Sequence, residues 1–329
     1  MKLTILGCYA ATPRTITNPT SQVLEIRNQM FLIDCGEGTQ VQLRKNKLKF
    51  SKINHIFISH LHGDHFYGLV GLISTFMLLN RQTDLHVYGP KGIKEIILLQ
   101  LRYSNSFTGY NLYFHELTSK ESEIIYEDEK VLVKTIPLKH RIYTNGFLFQ
   151  EKIGDRKLNI DAVQEYKIDT CYYQKIKNGK DITLDNGIVI SNEELTFDPI
   201  QPKSYAFCSD TMYDESIIPI IENCDVLYHE TTFLESEADK AEKTMHSTAK
   251  QAASIANKAN VKQFRAAREE YYYWNAKCNA SDRSSREYLK YTIFADQHFY
   301  EYVTIKDTLI RLFPEHKDLI VDSLYSRGK

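Results

Sequence analysis

The chain has no apolar run of membrane-spanning length, no two cysteines at Cys-x-x-Cys spacing, no internal repeat and no low-complexity tail. Without such a run, no transmembrane helix is expected. Its six cysteines (Cys8, Cys35, Cys171, Cys208, Cys224 and Cys278) lie far apart. That argues against a disulfide framework or a zinc ribbon and fits a reducing cytosol, so a cytoplasmic location is expected. Neither sign of charge is in excess: the formal net charge of −1 gives no global attraction to nucleic acid. Any polyanion binding must come from local basic patches. Leu6-Gly7-Cys8 faintly resembles a lipoprotein cleavage site, but residues 1–5 leave no room for an apolar signal region, so residues 3–6 read as part of a first strand.

What is present is an ordinary globular composition, 43% hydrophobic and 25% charged over 329 residues, enough for one large α/β domain or two smaller ones with a substantial core. Residues 3–7, 22–26 and 30–34 read as strands, the last two forming a hairpin that turns at Arg27-Asn28-Gln29. Asp34-Cys35-Gly36-Glu37-Gly38 is a glycine-rich turn into a helix over 39–45. A strand at 55–59, a helical pattern over 66–79, and a strand at 85–88 follow. Gly89-Pro90 then breaks the chain before a helix over 93–101. Residues 110–137 read as strands. The section from about 150 to 200 is polar and weakly periodic, an insertion standing off the core. Strands return at 204–210 and 225–230, and a helix at 247–259 carries alanines and Ile255 on one stripe. Two strand-rich halves, each ending its strands in His or Asp, predict two sheets packed face to face with helices outside and ligands gathered at one rim.

The chemistry concentrates at Ser59-His60-Leu61-His62-Gly63-Asp64-His65. In extended chain the side-chain period is two, so His60 and His62 point the same way and share one ion. Gly63 permits the turn, after which Asp64 and His65 face a second ion. Imidazole suits zinc, and a mixed His/Asp set leaves positions open for water, as catalytic sites require. His140, ending Pro137-Leu138-Lys139-His140, reads either as a surface residue or as a third imidazole on the first ion. Asp210, after an apolar strand, reads either as a bridge between the ions or as a helix cap. His246, beside Ser247 and Thr248, is either part of a cap or a proton donor oriented by Glu230.

These residues resemble the signature of the metallo-β-lactamase superfamily, and their context resembles ribonuclease Z, the tRNA 3′-processing endoribonucleases. The segments that carry the resemblance are Leu6-Gly7, Asn18-Pro19-Thr20-Ser21, residues 34–40, 59–65 and 137–141, Cys208-Ser209-Asp210-Thr211, His229-Glu230 and His246-Ser247-Thr248. The metal signature alone is shared by lactamases, lactonases and thiolesterases; its combination with the 137–141 and 246–248 segments is much more specific to the tRNA-processing branch. The resemblance implies an α/β fold, an αββα sandwich of two mixed sheets with outer helices and an inserted arm. It implies two zinc ions per subunit. His60, His62 and His140 would hold one, Asp64 and His65 the other, with Asp210 bridging. Asp64 would accept a proton, and His246, supported by Glu230, would protonate the departing 3′ oxygen of precursor tRNA. The insertion at 150–200 matches the family's tRNA-binding arm, with Lys175, Lys177 and Lys180 around a turn as phosphate contacts; a solvated loop is the plain alternative. A homodimer with no membrane association is implied as well.

The resemblance runs from residue 1 to 263, which sets a catalytic domain at 1–263 and a divergent segment at 264–329 packed on it. The family would enter a strand after residue 263 that leads to the last ligand of the second zinc. Here residues 264–274 read instead as an amphipathic, aromatic-rich stretch. His298 is either that ligand, displaced by an insertion, or part of an altered tail that leaves the second site incomplete. Two other functions fit parts of the pattern: a phosphodiesterase or lactonase acting on small molecules, and a non-catalytic RNA-binding relative.

Overall fold

Strand β1 (Lys2–Gly7) pairs with β2 (Ser21–Ile26), which turns straight back into β3 (Gln29–Ile33). Arg27 and Asn28 make that turn with left-handed φ of 44° and 71°, the twist a two-residue hairpin needs to match its strands. Three parallel strands follow: β4 (Ile53–Phe57), β5 (Leu85–Pro90) and β6 (Leu112–Leu117). They complete a six-stranded sheet in chain order. Helices α1 (Thr39–Lys45), α2 (Gly63–Phe66), α3 (Leu69–Leu78) and α4 (Ile93–Tyr103) make the crossovers. The computed structural model describes residues 1–12, 17–184, 186–267 and 303–304.

The helix expected over 66–79 is two pieces, broken at Tyr67-Gly68. The cause is close packing on the turn after β3. The N–H of Gly68 donates to the Cys35 carbonyl at 2.9 Å, and a Cβ on Gly68 would stand 2.0 Å from the Gly36 carbonyl oxygen. The chain bends so that two backbones can touch there.

The second sheet opens with β7 (Ile124–Glu127), β8 (Val131–Leu138) and β9 (Thr144–Glu151). An arm follows over residues 152–203, close to the expected 150–200. It carries short strands β10 (Lys157–Leu158), β11 (Ile182–Thr183), β12 (Val189–Ile190) and β13 (Thr196–Phe197), and helices α5 (Ile160–Glu165), α6 (Tyr173–Lys177) and α7 (Asn192–Leu195). Val163, Ile168, Ile176, Ile182, Ile190 and Leu195 give it a small core of its own. The sheet resumes with β14 (Ser204–Cys208), β15 (Val226–Glu230) and β16 (Gln263–Ala267), and Val303–Thr304 pairs as β17. Helices α8 (Ile218–Ile221), α9 (Ala238–Thr244) and α10 (Ala249–Lys258) lie between these strands.

Where the sequence from 264 reads as an amphipathic stretch, residues Gln263 to Ala267 form β16 and pair in parallel with Val226 to Glu230. The sheet therefore continues past residue 263. His298 and most of 264–329 lie outside the described residues.

The inner faces of the sheets interlock through Phe31, Phe57 and Tyr88 on one side and Val133, Phe147, Phe149 and Tyr205 on the other. Leu32, Ile56 and Val87 point outward beneath α3 and α4, and Ala206 and Leu227 beneath α10. Central strands are thus apolar on both faces, as sheets covered by helices on one side and a second sheet on the other require. No disulfide joins the described cysteines, and among the described residues no helix is long and apolar enough to cross a membrane.

At the lower end of the sandwich, His55 lies between the His86 ring, stacked at 5.2 Å, and Tyr126 at 4.4 Å. Burial, helped by neighbouring His86, lowers the His55 pKa from 6.5 to about 4. Between those values the unfolded chain binds a proton that the fold refuses, so stability is full above pH 6.5 and falls as pH drops toward 4. In the presence of chelator, the unfolding free energy should lose up to about 3 kcal/mol across that window. A His55→Phe variant should lose less, since His86 and His115 titrate with the same sign. Urea unfolding at several pH values checks this; equal losses in both proteins contradict it.

Candidate metal centre

The candidate ligands gather at one rim of the sandwich: His60 and His62 past β4, Asp64 and His65 in α2, His140 past β8 and Asp210 past β14. Beyond β4, Ser59 and His60 are wholly buried, and α2 begins three residues later. Asp34, just past β3, is also wholly buried and takes a left-handed φ of 55°. Its carboxylate accepts from the Ser59 N–H at 2.8 Å and from the Ser59 hydroxyl at 3.0 Å. The other demand on it is His65, whose Nδ1 lies 2.7 Å away. Because the carboxylate only accepts, His65 Nδ1 carries the proton and Nε2 turns toward the rim.

His60 and His140 are tied in the same manner. His60 Nδ1 lies 3.0 Å from the Ser59 hydroxyl, whose proton already goes to Asp34. His140 Nδ1 donates to the Met245 carbonyl at 2.9 Å. Both rings therefore aim an Nε2 lone pair inward. His60 Nε2 and His62 Nδ1 are 2.9 Å apart, and His140 Nε2 is 3.2 Å from His62 Nδ1. Burial holds the His60 pKa well below 6.5 and lowers those of His62 and His140. Neutral imidazoles with converging lone pairs are the ligating form, and the group could hold a cation at their meeting point. With Asp210, their ligand atoms all lie within 4.8 Å of one another.

Asp210 Oδ2 stands 3.7 Å from His60 Nε2, 3.5 Å from His65 Nε2 and 4.0 Å from His140 Nε2. It faces both sets of histidines, the position expected of a bridge. The capping alternative fails, because Asp214 caps the following turn by accepting from the Ser216 N–H. Burial alone would raise the Asp210 pKa, but His65, His60 and His246 pull it well below 3.8. Asp64 Oδ2 lies 3.6 Å from His65 Nε2. Burial lowers the His65 pKa, yet Asp34 and Asp210 outweigh it and hold the ring well above 6.5. Asp34 and Asp210 thus set negative charge on both sides of the His65 ring. Asp64 and His65 do not close into a cluster as tight as the first, and among the described residues no further histidine joins them.

Glu230, ending β15, accepts from the Thr211 N–H at 2.8 Å and from His246 Nδ1 at 2.8 Å. The cap of α10 is Thr248, which forms a capping box with Gln251, so His246 is not needed for it. A cavity of about 410 Å³ opens over this rim and is lined by His62, Asp64, His140, Arg141, Asp210 and His246, among others. Lys175 and Lys177 lie in the last turn of α6, and Lys180 follows the left-handed Gly179 before the β11–β12 hairpin; all three sit on the arm, away from the rim cavity.

Sequence reading missed Asp34 as a site residue, although it named the turn that holds it. The available signal was an acid at a strand's end before two glycines. Met245, whose carbonyl orients His140, gave no signal at all.

Residues 1–177 match the family model described as Anti-Pycsar protein Apyc1. Ribonuclease Z of Bacteroides thetaiotaomicron is 49% identical over 262 residues, covering 80% of this chain and 83% of that one. Ribonuclease Z of Bacteroides fragilis is 48% identical over 262 residues, 80% of this chain and 86% of the relative. Among solved structures, the short form of human tRNase Z superposes with a TM-score of 0.60 at 26% identity, over 81% of this chain and 92% of that one. The metallo-β-lactamase fold protein YhfI of Bacillus subtilis gives 0.54 at 15% identity, over 80% and 84%.

Exchanging Asp34 for Asn keeps the shape but removes the charge that fixes His65. Zinc titration against a competing chelator should show affinity at the position that His65 faces lowered by about 10–100-fold. Parental affinity at that position would contradict this role.

Proposed function

The chain belongs to the ribonuclease Z family and, through residues 1–177, to the family described as Anti-Pycsar protein Apyc1; from that premise we propose that it is a zinc-dependent endoribonuclease that cuts precursor tRNA on the 3′ side. The observation that carries the reading is the convergence of three neutral imidazoles and Asp210 at a rim where Glu230 and His246 are already paired. The alignments of 262 residues with the ribonuclease Z relatives extend well past residue 177, so they favour RNA over a small-molecule phosphodiester.

His60, His62, His140 and Asp210 hold the first zinc in this proposal; Asp64, His65 and Asp210 hold the second, with His298 as the candidate for its missing ligand. Bound zinc supplies positive charge against the phosphate oxygens and readies a water for attack. The residues do the rest. Asp64 accepts the proton of the attacking water at the rim. His246, with Nδ1 anchored on Glu230, presents its other nitrogen to the departing 3′ oxygen and protonates it. The lysines Lys175, Lys177 and Lys180 grip the substrate backbone from the arm. A cytoplasmic homodimer, with a catalytic domain over 1–263 and the segment 264–329 packed on it, completes the proposal.

Purified protein incubated with a precursor tRNA should release the 3′ trailer, and chelator should stop it. Asp64→Ala should lower the rate by about 10²–10⁴-fold. Cleavage that survives both chelator and Asp64→Ala contradicts the reading. Deletion of residues 175–180 should weaken precursor cleavage while sparing a small phosphodiester such as bis(p-nitrophenyl) phosphate. Equal losses on the two substrates contradict the role of the arm.

A further inference from the structure

The net charge of −1 conceals an uneven distribution. From residue 38 to residue 63 the chain contains no Asp or Glu, and within that stretch stand Arg44, Lys45, Lys47, Lys49 and Lys52. All five side chains are exposed. None forms an ion pair with a described residue, as is true of most described lysines; what sets this stretch apart is that five cations follow one another with no acid among them. A charge run is often no more than a solvated face, but this one is held in place. Leu43, Leu48 and Phe50 are buried and anchor the segment. The chain leaves α1 with Lys47 in a left-handed conformation, φ 55°, and Leu48 N–H donates back to the Leu43 carbonyl at 2.9 Å. Arg44 lies over the Phe50 ring at 5.0 Å. The C-terminus of a seven-residue helix accounts for Arg44 and Lys45, but not for Lys47, Lys49 and Lys52 beyond it.

We propose that this acid-free segment is a second phosphate-binding surface, which contacts the backbone of the RNA held at the metal rim. The inference rests on the reading of the chain as a tRNA-processing nuclease. β4 runs from the segment to the rim, so the two are roughly 20 Å apart at about 3.3 Å per residue, a distance one folded RNA spans. The chemistry selects phosphate. Between residues 44 and 52 the apolar side chains are buried, which leaves cations with Asn46 and Ser51 and no wedge for a bilayer. Lysines that neutralise phosphates release counterions, so their contribution appears in the salt dependence of binding. They add affinity without touching the reacting atoms.

The test is a variant carrying Lys45→Gln, Lys47→Gln, Lys49→Gln and Lys52→Gln, compared with the parent for precursor-tRNA binding from about 50 to about 300 mM KCl. Hydrolysis of bis(p-nitrophenyl) phosphate at the parental rate shows the variant folded. The slope of log Kd against log salt should become shallower by roughly 0.7–0.9 for each phosphate no longer neutralised, and KM for the precursor should rise with kcat unchanged. An unchanged slope overturns the proposal, as does an unchanged RNA affinity together with lost binding to phosphatidylserine vesicles. A parent that binds the precursor through these lysines but never cleaves it leaves this surface standing and removes the functional reading instead.

Discussion

Asp34 ends a central strand with its carboxylate sealed from water, where three hydrogen bonds from Ser59 and His65 satisfy it. A carboxylate in that place is costly to bury, and burial raises its pKa above 3.8 even though these bonds lower it. The need to satisfy it fixes the relation of β3 to β4. Ser59 serves Asp34 and His60 together, so one hydroxyl links the carboxylate to a ring of each metal position. The broken helix that follows obeys the same geometry, since Gly68 packs on the turn that leads out of Asp34. The rim's side chains are held from behind, where the sandwich core lies.

Electrostatics divides the site into two unlike halves. Burial keeps His60, His62 and His140 neutral, while Asp34 and Asp210 set negative charge on both sides of the His65 ring. Asp210 belongs to both halves. Among the described residues the first position could draw on three imidazoles and a carboxylate, the second on one imidazole and two carboxylates, so the two donor sets are unlike.

Much of the site was legible because its ligands are local. His60, His62, Asp64 and His65 occupy six positions, and their spacing and context announce them. His140 and Asp210 were open choices until the rim joined them to the cluster, since nothing near either residue distinguishes a ligand from a surface His or a cap. Asp34 and Met245 act across 31 and 105 residues of sequence, and no local pattern encodes such partners. The strands were legible where apolar residues alternate or run together. β16 was not, because Arg265 and the alanines lack the β-branched signature and the strand is made by pairing with β15.

The central claim is that the rim gathers donors to hold metal. The direct measurement is zinc content by mass spectrometry after dialysis against zinc and then buffer, for the parent and for His62→Ala. The account predicts at least about one tightly held zinc per parent chain and its loss from the variant. A parent free of metal, or a His62→Ala chain that keeps the parental content, would contradict it.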